Sequence, residues 1–232
     1  MSELPRFNRP LVAASVALAK ILITSGPTRQ YLDPVRYLTN ASSGRMGSAI
    51  AEACLAKKHE VVIVSGPVSV AYPKGARVIP VLTTDEMLEA ATAEFASCQG
   101  AIGAAAPCDY QPQQVATQKI SKTGQPLVVH LIETRDVVAT LGQMKRSDQW
   151  VVGFALETDD RRFRSIVKLE KKHCDMIVSN GPEAIDATDN SVELLAADGS
   201  VVASFSGAKE QVARSLVDEI DARLIQKINS PQ

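Results

Sequence analysis

No G-x-G-x-x-G follows the first strand-like run of this chain, and no G-x-x-x-x-G-K-[ST] occurs in it. The first absence removes the usual support for a dinucleotide-dependent oxidoreductase and the second that for a P-loop nucleotidase. None of the four tyrosines has a lysine four residues on, as a short-chain dehydrogenase would require. H-E-x-x-H is missing, and His59, His130 and His173 stand apart, which argues against a structural transition-metal site. Cys54, Cys98, Cys108 and Cys174 form no C-x-x-C pair, so they read as reduced packing residues of a cytoplasmic protein. With a formal net charge of -1 and a pI near 6.3, there is no global basic field to recruit nucleic acid and no acidic tail.

Long apolar runs are lacking too. Residues 11–19, preceded by Arg6 and Arg9, imitate a signal peptide. The run passes through Lys20 into the first strand pattern, however, and it falls far short of the ~20 apolar residues of a membrane span. Neither export nor membrane insertion is expected, and the sequon-like Asn40-Ala-Ser42 then carries no meaning. At 232 residues and 45% hydrophobic content the chain can bury a substantial core. Without a repeat, low-complexity tract or linker, it reads as an N-terminal extension, 1–19, and a single domain, 20–232.

What is present is an alternation. Apolar runs of strand length occur at 20–26, 60–66, 77–82, 100–106, 150–155 and 176–179. Between them, 44–58, 84–97, 135–145 and 159–173 carry apolar residues at helical spacing, as in Met87, Leu88, Ala91 and Phe95. Strand and helix in alternation predict an α/β fold, a Rossmann-like, doubly wound, mostly parallel sheet with ligands at the carboxyl ends of its strands. Two segments depart from it. Residues 111–133 predict a loop followed by a projecting strand at 127–132, and 192–205 predict an added hairpin around Asp198-Gly199. A last helix is expected at 209–228, with Val212, Leu216, Ile220 and Leu224 on one face.

Residues 26–47, between the first strand and the first helix, predict a binding loop. Most such connections take about 2 to 6 residues. Ser42 or Ser43 is placed to cap the helix, while Gly44 and Gly47 leave its backbone open to close approach. A helix start of this kind favours an anion, most often phosphate. Two glycines that merely shape a turn are the plainer alternative, against which loop length, Arg36 and Asn40 weigh. Further along, Asp109 ends a run of small residues at the sheet's carboxyl edge. It serves there as a partner for a ribose hydroxyl or a metal-bound water, or as an ordinary turn aspartate. Lys119 and Lys122 follow on a loop, where they are either solvated or set to neutralise a polyphosphate. Lys168 and Lys172 share one face of a basic helix, and Phe154 offers its ring to a nucleobase or to the core.

Taken together, Gly26-Pro-Thr-Arg29, Asp33-Pro-Val-Arg36 and Asn40-Ala-Ser-Ser-Gly-Arg-Met-Gly47 resemble the signature of phosphopantothenoylcysteine synthetase, the phosphopantothenate-cysteine ligase family of coenzyme A biosynthesis. Further blocks fall in order at 104–110, 119–122, 153–158, 168–172, 175–180 and 189–190. The resemblance implies that CTP, with Mg2+, activates the carboxylate of 4'-phosphopantothenate as an acyl-cytidylate with loss of pyrophosphate, after which the amine of cysteine displaces CMP. It assigns Asn40 to the acyl-cytidylate, with Arg36 and Ala105 beside that intermediate, and puts Lys119 at the catalytic lysine. Asp109, Phe154, Lys168 and Lys172 would contact CTP. Ser43, Gly44 and Gly47 would face the anionic part of the substrate. Thr134, Arg135, Asp136 and Val137 stand where the family carries Asn-Pro-Asp-Ile on the nucleotide, so Arg135 is a departure that bears on nucleotide choice. Ser121 replaces a family lysine, and Leu156 a family alanine. The resemblance further implies a homodimer joined by the arm at 127–132, and a phosphopantothenoylcysteine decarboxylase as a possible separate partner. An NAD(P)-binding oxidoreductase and a non-catalytic partner of such a decarboxylase are the competing readings. The missing glycine fingerprint counts against the first, and retention of Asn40, Arg36 and Lys119 against the second.

Overall fold

A computed structural model describes residues 17–156, 160–181 and 189–226, the side chains of 189 and 190 excepted. Most of the expected extension, the end of the sequence block at 153–158, the first residue of the helix expected at 159–173 and the last two residues of the expected final helix lie outside the described residues.

Strand β1 (Lys20–Ser25) is a β-branched run buried almost throughout, as a central parallel strand must be. It pairs in parallel with β4 (Glu60–Ser65) on one side and with β6 (Gly100–Gly103) on the other. Beyond β4 lies β5 (Arg77–Pro80), and beyond β6 lie β9 (Trp150–Leu156) and β10 (Met176–Asn180). In sheet order β5-β4-β1-β6-β9-β10, the six parallel strands follow the 3-2-1-4-5-6 pattern of a dinucleotide-type doubly wound sheet. The hairpin of β11 (Asp189–Ala196) and β12 (Val201–Ala208), turning at Asp198 and Gly199, adds two antiparallel strands to β10. The expected sheet and added hairpin are both there.

Alternate strand residues feed opposite faces. Ile21, Ile23, Val61 and Ile63 pack under helices α1 (Arg45–Ala56) and α5 (Lys209–Ile220). Leu22, Val62, Val64 and Ala101 pack under α2 (Thr84–Phe95) and α3 (Val137–Met144), and Leu169 of α4 (Arg161–Lys171) joins that same cluster. All four cysteines are free and buried. Burial pushes the thiols of Cys54 and Cys174 up to about 12 and that of Cys98 to about 11, so they stay protonated packing groups as expected.

Three expectations need correction. Residues 26–47 are not an open loop: β2 (Arg29–Asp33) and β3 (Arg36–Thr39) pair antiparallel, with an irregular register between Tyr31 and Asp33. The projecting strand is shorter and later than expected. Only β8 (Leu131–Glu133) is extended and paired, against β7 (Tyr110–Pro112), while Leu127, Val128, Leu131 and Ile132 are exposed. Helix α5 ends at Ile220 and passes into a π-helical turn, Asp221–Ile225.

Candidate ligand site at the carboxyl edge of the sheet

Strands β1 and β6 are the neighbours from which the chain winds in opposite directions, and a crevice opens beyond their carboxyl ends for that reason. A cavity of about 420 Å³ fills it, lined by Thr24 of β1, Gly103 of β6 and Phe154 of β9. Such a volume suits a small ligand. Ala105 and Asp109 form one wall, and Thr134, Arg135, Asp136 and Val137 another. The second wall is fastened to the first by the Thr134 hydroxyl, which donates to the Cys108 carbonyl at 2.7 Å, and by the Thr134 N–H, which donates to the Asp109 carbonyl at 2.9 Å. Phe154 lines the cavity while packing on the core, so the two roles open to it from sequence are compatible.

Asp136 is the N-cap of α3. Its carboxylate accepts the Ala139 N–H at 3.0 Å and pairs with Lys172 Nζ at 3.0 Å. That ion pair brings the end of α4 over the cavity. Lys171 and Lys172 line it, whereas Lys168, one turn earlier, is not among the lining residues. Arg135 also lines the cavity, and its guanidinium binds Asp85 of α2 at 2.9 Å, so it stands beside the pocket as a lip.

A second hollow lies across the β2–β3 hairpin. Ser42, Ser43, Arg29 and Arg45 line a space of about 450 Å³, and Arg29, Ser42 and Ser43 also line one of about 300 Å³ that reaches Asn40. Neither serine caps α1, contrary to expectation. The N-cap is Gly44, at φ 76°, with no side-chain cap and no acidic residue in the first turn. The first amides of α1 therefore keep their partial positive charge beside two arginines, which favours an anion. Gly47 has a packing task as well: a Cβ there would overlap the Ser25 hydroxyl, so this glycine lets α1 ride on the end of β1.

Asn40 stands between the two hollows. Its amide nitrogen donates to the carbonyls of Ala106 (3.2 Å) and Pro107 (2.9 Å), and Pro107 lines the first cavity. Arg36, on β3, donates through Nη2 to the Ile120 carbonyl at 2.7 Å. Lys119 precedes that residue, exposed and outside the described cavities. Among the described residues no group of three or more His, Cys, Asp or Glu side chains is placed to hold a metal. The carboxylates of Asp109, Glu133 and Asp136 do line the first cavity, which fits an ion brought in by a phosphate ligand, held by one or two carboxylates.

Sequence reasoning missed Arg29, Arg45 and Lys171. The two arginines flank the glycine and serine motif in sequence, which was the available signal. Lys171 lay in the basic run but off the face chosen by four-residue spacing.

A family model described as DNA/pantothenate metabolism flavoprotein C-terminal domain matches residues 16–224. The coenzyme A biosynthesis bifunctional protein CoaBC of Haemophilus influenzae is 38% identical over 206 residues, 88% of this chain and 51% of that protein. A cysteine/cysteine sulfinic acid decarboxylase of an unknown prokaryotic organism is 43% identical over 162 residues, 69% of this chain and 45% of that one. The chain thus spans about half the length of the curated relatives it matches. The crystal structure of the C-terminal domain of CoaBC superposes with a TM-score of 0.77 at 36% identity, covering 90% of this chain and 98% of that one. Cab2 in complex with phosphopantothenate-cysteine, at 15% identity and a TM-score of 0.75, shares the fold. Sheet order, crevice and matched residues lead to one conclusion: the chain belongs to the DNA/pantothenate metabolism flavoprotein C-terminal domain family.

Proposed function

We propose that this protein is a phosphopantothenate-cysteine ligase, which joins 4'-phosphopantothenate and cysteine through an acyl-cytidylate in coenzyme A biosynthesis. The observation that carries the reading is the place of Asn40, whose amide bridges the edge between an anion-favouring hollow and a nucleotide-sized cavity. Two ligands that must meet at one acyl-phosphate junction need that arrangement. The names of the CoaBC relatives and the Cab2 complex support it.

In this reading CTP lies in the first cavity, its base and ribose against Phe154 and Asp109 and its phosphates toward Lys171 and Lys172. The substrate's own phosphate lies by Ser43, Gly44 and the amides of α1. A carboxylate oxygen of phosphopantothenate bonds to the α-phosphorus as the bond to pyrophosphate breaks. Lys119 and Arg36 offset the negative charge that develops there. Mg2+, if held with the triphosphate by Asp109 or Glu133, would supply further neutralisation. The amine of cysteine then bonds to the acyl carbon, the bond to CMP breaks, and the amine gives up a proton. Positioning does most of this work, because the acyl group is already activated. The reading extends to a homodimer formed through the exposed arm around β8, to a cytoplasmic location, and to a decarboxylase, on a separate or a fused chain, that consumes the product. Among the described residues no helix is long and apolar enough to cross a membrane.

Pyrophosphate release tests the proposal. It is expected to require CTP, phosphopantothenate and Mg2+, and added cysteine should convert the intermediate to phosphopantothenoylcysteine. ATP run in parallel reads nucleotide choice. No release with any nucleoside triphosphate would overturn the ligase reading.

A further inference from the structure

Asp33 ends β2 with its side chain fully buried, and each of its oxygens is engaged. Oδ1 accepts the N–H groups of Val35 and Arg36, both at 2.9 Å, and so shapes the hairpin turn. Oδ2 accepts the N–H of Ile120 at 3.1 Å and lies 3.4 Å from Arg36 Nη1. Arg36 closes the ring by donating through Nη2 to the Ile120 carbonyl at 2.7 Å. Both backbone polar groups of Ile120 are thus held from the hairpin. A second stitch joins the same segments, the Ala116 N–H donating to the Leu32 carbonyl at 3.0 Å.

The stretch 113–130 has no regular secondary structure, so little else fixes its path. Burial pushes the Asp33 carboxyl up, but three N–H donors and the Arg36 guanidinium outweigh that and hold it below its ordinary value. It is therefore ionised at neutral pH. A buried carboxylate persists only while its partners stay in place, so this anion locks the loop and the hairpin into one frame.

We propose that Asp33 is a positioning residue for the ligase reaction, its buried carboxylate fixing the loop that carries Lys119 against the hairpin that carries Arg36. The inference rests on the ligase reading for the role of Lys119 and goes beyond it in assigning the device that sets both cations. Val35, Arg36 and Ile120, the polar partners of Asp33, are not among the residues that line the nucleotide-sized cavity, so its loss should act on the chemical step and not on nucleotide affinity.

Asp33→Asn and Ile120→Pro both break the bond to the Ile120 amide, the second without changing any residue of the hairpin. Each is expected to lower kcat for pyrophosphate release about tenfold or more while KM for CTP changes less than about threefold. In a Lys119→Ala background, Ile120→Pro should have little further effect, because the pathway through Lys119 is already gone, while Asp33→Asn should keep only the part that acts through Arg36. Hydrogen exchange at the Ala116 amide should quicken about tenfold in both variants while sheet amides stay protected. Full additivity with Lys119→Ala, or a change in KM alone, would overturn the positioning role. Unchanged exchange at Ala116 in both variants would overturn the lock itself. That last measurement needs no turnover, so it separates failure of the lock from failure of the ligase reading.

Discussion

Asn40 is exposed, and that makes it informative as a single residue. Its two hydrogen bonds both use the amide nitrogen as donor, to carbonyls that cannot donate in return. Asn40→Asp would aim a carboxylate at two carbonyl oxygens and turn the side chain away, leaving the core untouched. Formation of phosphopantothenoylcysteine should fall about tenfold or more with the melting temperature unchanged; product formed at the parental rate would remove Asn40 from the junction. Gly47 makes the opposite case, since its environment is packing. Gly47→Ala forces a methyl into Ser25, and a loss of about 1–3 kcal/mol is expected in urea unfolding. A midpoint equal to the parent's would show that α1 shifts freely on β1. At this scale the sequence was readable at Asp109 and Phe154, whose places along their strand patterns put them by the crevice, while Thr134 was reached only through the family resemblance. It was silent on partners. Nothing in the order of residues says that Arg135 would find Asp85 fifty positions away, or that Gly47 would be spent on a hydroxyl of β1.

Residues of α3 and the end of α4 line the nucleotide-sized cavity, and Gly142 of α3 lies against the backbone of Lys172. A Cβ on Gly142 would run into the backbone carbonyl of Lys172, which cannot swing aside as a side chain would. Gly142→Ala should therefore push the end of α4 away from α3. The expected result is a loss of about 1–3 kcal/mol in stability together with a raised KM for CTP, since Lys172 and its ion pair with Asp136 move with that backbone. A loss of stability with KM unchanged would mean that Lys172 takes no part in nucleotide binding. Long, periodic elements such as α2, with Met87, Leu88, Ala91 and Phe95 on its buried face, were legible because burial imposes the period. The β2–β3 hairpin was not. Its strands are short, their register is irregular, and the turn between them is shaped by Asp33. The alternating run at 127–132 promised more strand than exists, because alternation gives a face and only a pairing partner gives a strand; β7 offers three residues.

At the scale of the whole molecule, the two ends of the described chain meet far from the site. Gln226 accepts the Ala17 N–H at 3.3 Å and donates to Asp221 at 3.0 Å, and Lys57 reaches Asp218 and Asp221 at 2.8 and 3.2 Å. His59, fully buried, sits in the middle. Its Nδ1 accepts the Ala19 N–H at 3.2 Å, which places the ring proton on Nε2, 3.5 Å from Asp221. A second proton would have to enter at Nδ1, against that N–H. Burial, the largest effect, holds the imidazole below its ordinary value of 6.5, and the attraction of Asp221 only partly offsets this. The unfolded chain therefore takes up the proton first as pH falls. Stability from this group is present above about pH 6.5 and is lost as pH drops below it toward the folded value. The urea midpoint is expected to be lower at pH 5.5 than at pH 7.5. His59→Asn keeps an acceptor near the Ala19 N–H but cannot titrate, so its midpoint should depend less on pH over that interval. An equal slope in parent and variant would place the titrating group elsewhere and leave the clamp between the two ends of the described residues without a role in acid stability.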